Sequence, residues 1–150
     1  MKIDTSKLKF PKPRKRKKLT IPKLRDKAWR VFSLYIRLSD ADKYGYVGCV
    51  TCGKRGHYKD MQAGHFKHGK DRECYFDERN VHPQCVSCNH FHKTTAMQNY
   101  TVFMLKKYGQ KVVEELLDSK KIIWKREVLE DILGTYKRKL KELNESSQNM

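Results

Sequence analysis

The sequence predicts an α+β fold: a small zinc-stapled core of short strands, flanked by N- and C-terminal helices. Two observations carry that expectation. Cys49-Val-Thr-Cys52 and Cys85-Val-Ser-Cys88 have the spacing of a tetrahedral four-thiolate zinc site, in which each short turn supplies two ligands. Between stretches of helical periodicity, residues 44–64 change to short apolar runs broken by glycines. Composition agrees, because a chain with 38% hydrophobic and 34% charged residues must have a small core. Zinc would supply such a core with folding free energy directly. The fifth cysteine, Cys74, reads as a plain small residue or a free thiol.

Residues 1–20 form a basic arm. Lys12, Arg14, Lys15, Arg16, Lys17 and Lys18 surround Pro13, and Pro11 and Pro13 oppose a helix there. Phosphate contact is the preferred reading; a solubilising tail and a nuclear-localisation address fit the same composition. A lead-in helix is expected within 21–43, starting at Pro22, because Leu24, Ala28, Val31, Phe32, Tyr35 and Leu38 recur at helical spacing. The core is expected over 44–108. It begins with a strand around Tyr44 to Val50 and a second over 56–64, which gives way to a polar loop at His65.

After that loop, residues 66–79, helix resumes at about Cys88 and runs through Lys107, with an interruption near Thr94. Gly109 reads as a stop signal. Two C-terminal helices fill 109–145, over 110–120 and 125–144, and 146–150 is a tail. In the last helix Val128, Ile132, Tyr136, Leu140 and Leu143 make one stripe that could pack on the domain or pair with a second copy as a homodimer.

The formal charge is +17, from 34 Lys and Arg against 17 Asp and Glu. Four thiolates on one zinc would lower it by about two. The remainder calls for a polyanionic partner, with nucleic acid first. Residues 1–25 hold no apolar stretch suited to a secretory signal, and nothing approaches a membrane span. A cytoplasmic, reducing location is therefore expected, in which paired cysteines bind metal rather than each other. A zinc knuckle competes: Cys49, Cys52 and His57 begin one, but its fourth ligand would fall on Gln62. His57 is then expected to be an exposed loop histidine.

His65 and Asn80 lie between the cysteine pairs, and Asn89 follows Cys88. This order resembles the zinc-containing ββα-metal (HNH) nucleases, among them endonuclease VII. The match is closer to the lambdoid-phage NinG/Rap recombination endonuclease family. It rests on CVTCG at 49–53, AGHF at 63–66, FDERNVHPQCVSCN at 76–89 and YGQKVVEEL at 108–116, and extends over roughly residues 20–145.

The resemblance implies a zinc-stapled ββα-metal (HNH) nuclease core that cuts branched recombination intermediates, in the host cytoplasm for a phage-encoded chain. His65 would be the general base, Asn80 would orient its imidazole, and Asn89, in place of the family's final His, would ligate Mg2+ or Mn2+. The cysteine-bound zinc would be structural, because four thiolates leave no open position. Most HNH sites place Asp or His before the base as a second metal ligand. Here that residue is Gly64, so the second ligand stays open among His92, Asp60 and Asp77. A non-catalytic zinc-stabilised nucleic-acid-binding protein is the alternative.

Overall fold

Ile21–Ser39 forms the first helix, α1, in a computed structural model that describes residues 18–91 and 93–148. Pro22 in its first turn costs nothing, since the earliest helical N–H groups lack intrahelical acceptors. Leu24, Ala28, Phe32 and Ile36 recur every four residues and are the buried ones. They pack on the last helix, α4 (Arg126–Gln148), through Leu129, Leu133 and Tyr136, with the Phe32 and Tyr136 rings meeting edge to face at 4.7 Å between centroids. Of the C-terminal stripe, Ile132 and Tyr136 therefore pack within the chain. The buried line of α4 is set by Leu129 and Leu133, while Val128 remains exposed.

Between these helices lie two small antiparallel hairpins, so the fold is α+β as expected. Strands β1 (Tyr46–Gly48) and β2 (Arg55–His57) pair with Val47 opposite Gly56. Strands β3 (Met61–His65) and β4 (Val81–Cys85) pair with Gln62 opposite Gln84 and Gly64 opposite His82. The single strand expected over 56–64 is thus two strands, divided by a turn in which the Asp60 N–H donates to the His57 carbonyl at 2.9 Å. His57 closes β2 and is half-buried against Tyr46 and Tyr58, rather than an exposed loop residue. Arg37 clamps α1 to this turn, donating to the carbonyls of Tyr58 at 2.8 Å and Met61 at 3.1 Å.

The stretch expected as a loop over 66–79 contains two short 3-10 turns, Glu73–Phe76 and Glu78–Asn80, and buries Cys74, Tyr75 and Phe76. Cys74 is a core residue, beside Phe66, Tyr100, Met104, Val113 and Leu116. After β4, a wide π-type turn over Ser87–Phe91 leads into α2 (Lys93–Tyr108). Gly109 ends that helix with φ of 80°, a left-handed conformation that favours glycine, and α3 (Gln110–Leu117) follows. No helix among the described residues is long and apolar enough to cross a membrane.

Candidate functional site

The cysteine pairs meet where the two hairpins touch. Cys49 and Cys52 occupy the β1–β2 turn, Cys85 ends β4, and Cys88 lies in the π-type turn. Their four sulfurs all lie within 4.8 Å of one another, and Cys52 Sγ is 3.8 Å from Cys85 Sγ. Sulfurs held about 2.3 Å from a tetrahedral zinc would be about 3.8 Å apart. Burial opposes a thiolate at Cys49, yet backbone contacts from Cys85, Cys52 and Thr51 prevail and bring its thiol down to about 7. The four cysteines are therefore positioned to bind a metal, and the donor set and spacing fit zinc.

His65 stands at the end of β3, where the strand enters the folded loop. Its ring is sandwiched between Trp29 of α1, at 4.5 Å between centroids, and Tyr75 of the first 3-10 turn, at 4.7 Å; both pairs are stacked. Its Nε2 lies 3.0 Å from the Tyr75 carbonyl. A neutral imidazole there must donate from Nε2, because a carbonyl only accepts, and Nδ1 then keeps its lone pair. Burial lowers the His65 pKa to about 4; the Tyr75 carbonyl works in the other direction, and His68 adds to the lowering.

Asn80 is fully buried, and it does not hold the imidazole as expected. Its Oδ1 accepts from the Lys67 N–H at 2.7 Å, and its Nδ2 donates to the carbonyls of Lys67 and Cys74 at 3.0 and 2.9 Å. The side chain thus ties Lys67, just beyond His65, to Cys74, just before Tyr75, and braces His65 without touching its ring. The physical reason is reach: the amide is spent on three backbone groups that would otherwise be buried without partners.

Asn89 sits in the π-type turn and donates from Nδ2 to Gln62 Oε1 at 2.6 Å. It shares two hollows with His65. One is a cleft of about 690 Å³ that also touches Trp29, Arg37, Lys70 and Tyr75. The other, of about 310 Å³, includes Gln84 and Tyr100. The structure therefore brings His65 and Asn89 to one place and leaves Asn80 as a brace behind them.

Of the candidates for a second ligand, Asp60 lines a separate hollow with Arg55 and Cys85. Asp77 caps the second 3-10 turn through the Arg79 N–H and pairs with the Arg79 guanidinium at 2.8 Å. His92 lies outside the described residues, as do Lys12, Arg14, Lys15, Arg16 and Lys17 of the arm; Lys18 is described and exposed.

Sequence reasoning missed Trp29, Tyr75 and Gln84. It also missed a polar relay behind β3. Tyr100 Oη donates to the Gly64 carbonyl at 2.9 Å, so it must accept from His82 Nδ1 at 3.0 Å. His82 Nε2 then accepts from Tyr108 Oη at 2.9 Å. Burial lowers the His82 pKa to about 3, with Lys107 adding to the effect and Asp77 opposing it.

A family model described as "Bacteriophage Lambda NinG protein" matches residues 2–146. The chain is 32% identical over 127 residues to "Protein ninG" of Salmonella phage P22, covering 79% of this chain and 57% of that relative. It is equally similar to "Protein ninG" of Escherichia phage 933W, and 31% identical to that of Escherichia phage lambda, with 79% and 56% covered. The chain thus spans little more than half the length of these relatives. No solved structure gives a significant match. On the extent of the family match, the chain belongs to the NinG family.

Proposed function

We propose that this NinG-family chain is a metal-dependent endonuclease of the HNH type that hydrolyses DNA phosphodiesters, on branched intermediates of phage recombination. The observation that carries the reading is the convergence of His65 and Asn89 on one cleft, with the His65 tautomer set by the Tyr75 carbonyl. His65 Nδ1 takes the proton of the attacking water, and the Nε2 hydrogen bond keeps the ring from turning as charge develops on it. Stacking between Trp29 and Tyr75 fixes the ring plane. Asn80 fixes the loop that supplies the carbonyl. Arg37 and Lys70 on the cleft wall suit a phosphate backbone, which they position rather than cut.

Asn89 would hold a divalent cation, Mg2+ or Mn2+, which when bound supplies Lewis acidity at the phosphate and at the departing 3′ oxygen. A zinc held by Cys49, Cys52, Cys85 and Cys88 is structural in this reading, fixing the π-type turn that bears Asn89 against the β1–β2 turn. The branched-DNA preference rests on the family resemblance alone; the net charge of +17 supports a polyanionic partner without choosing its shape.

Cleavage of a labelled four-way junction, beside a linear duplex of matching sequence, tests the proposal. Wild type should cut with Mg2+ or Mn2+ and not with metal omitted, and His65→Ala should lose at least a hundredfold in rate while retaining zinc. DNA binding without cutting by either protein, across metals and DNA shapes, would instead favour a zinc-stabilised binding protein.

A further inference from the structure

We propose that Gln84 Oε1 is the second protein ligand of the divalent cation, acting with Asn89 Oδ1 in the space over Gly64; the assignment rests on the nuclease reading above. Gly64 has no side chain to offer. A Cβ built there would lie 1.8 Å from Gln84 Oε1 and 3.0 Å from Asn89 Oδ1, so both oxygens crowd one point beside the glycine. The place of the missing side chain is filled from the neighbouring strand. Gln84 stands opposite Gln62 in the ladder and is a diagonal neighbour of Gly64 on the same hairpin face, within reach for a long side chain.

In each amide the nitrogen end is engaged away from Gly64. Gln84 is buried, with 4% of its surface exposed, and its Nε2 donates to Thr51 Oγ1 at 2.6 Å. Asn89 Nδ2 donates to Gln62 Oε1 at 2.6 Å. Both carbonyl oxygens thereby lie on the side of Gly64. Two carbonyl oxygens placed together at the edge of a hollow present their negative dipole ends to a cation entering it. His65, Gln84 and Asn89 line that hollow together.

Hard oxygen ligands select Mg2+ or Mn2+ over softer ions. Two neutral amides leave the ion's charge uncompensated, so it keeps most of its waters and binds weakly until a phosphate joins it. A carboxylate at position 84 should change this sharply.

The test is Mn2+ binding to the zinc-loaded full chain, read from the electron paramagnetic resonance of free Mn2+. Gln84→Glu should bind Mn2+ at least tenfold more tightly than wild type, and adding Asn89→Ala should remove most of that gain. An unchanged affinity in a folded Gln84→Glu protein overturns the assignment, as does a gain that survives Asn89→Ala. Gln84→Met provides a second arm, with folding checked by circular dichroism and zinc content: the Mn2+ concentration for half-maximal DNA cleavage should rise at least tenfold. Tight Mn2+ binding by Gln84→Glu in a protein whose wild type cuts no DNA would keep the site and remove the nuclease reading. Cleavage whose Mn2+ dependence is the same in wild type and both Gln84 variants would keep the nuclease and remove the site.

Discussion

Every contact on His65 acts on its proton. Trp29 and Tyr75 strip water from both ring faces, which disfavours the charged form and brings its pKa to about 4. At neutral pH the imidazole is then uncharged and able to accept a proton at Nδ1. Nuclear magnetic resonance titration, with His65→Ala to assign the signal, should place its midpoint well below 6.5. Trp29→Ala should move it back toward that ordinary value. A midpoint near 6.5 in the wild type would mean that the stack does not exclude water.

The same shift has a consequence for stability. Between about 4 and 6.5 the unfolded chain binds the proton and the folded His65 does not, so stability falls as pH drops through that window. His82, with its pKa lowered to about 3, adds to the loss in the same direction and extends it to lower pH. Denaturant unfolding at pH 7 and pH 5 should show the lower midpoint at pH 5, and Trp29→Ala should narrow the difference.

At the scale of elements, β4 is held by polar side chains where a strand usually has apolar ones. Val-His-Pro-Gln-Cys is buried at every position. His82 is tolerable there because Tyr100 and Tyr108 satisfy both of its nitrogens, and Gln84 because Thr51 takes its amide. Tyr100→Phe would leave the His82 Nδ1–H without its partner and remove the side-chain bond to the Gly64 carbonyl. It should cost about 1–3 kcal/mol in chemical denaturation, the cost of stranding buried polar groups; a loss below about half a kcal/mol would show that water replaces the hydroxyl.

That chemistry also explains what the sequence hid. The helices were legible because Leu24, Ala28, Phe32 and Ile36 keep a helical repeat, and Gly109 marks a boundary. Strand β4 was not, since Pro83 cannot donate to a ladder and so argues against a strand in a run of only five residues. The loop after His65 looked solvated from its Lys, His and Asp content, yet Tyr75 and Phe76 within it close the core against Trp124. At the site, His65, Asn89 and the cysteines stood out by residue type and spacing. Trp29, Tyr75 and Gln84 did not, because what they do depends on tertiary approach.

Across the whole molecule the cysteine cluster is the joint. One apolar cluster couples α1 to α4, a second couples α2 to α3, and the third is little more than Val47, Met61 and the cysteines themselves. The β1–β2 hairpin thus has few apolar partners, and the π-type turn bearing Asn89 is tied to the hairpins through Cys88 and through the Asn89–Gln62 hydrogen bond. A structural zinc supplies about 10 kcal/mol or more of apparent binding free energy, against total domain stabilities of about 5–15 kcal/mol. Stripping metal with a strong chelator should therefore collapse the near-ultraviolet circular dichroism of the aromatic-rich core and lower the thermal midpoint by at least 10 °C. Added zinc should restore both and Mg2+ should restore neither, because thiolates are soft ligands that Mg2+ does not displace water to reach. Full retention of the midpoint in metal-free protein would mean that the helices hold the hairpins unaided, and the cysteines would then need another purpose.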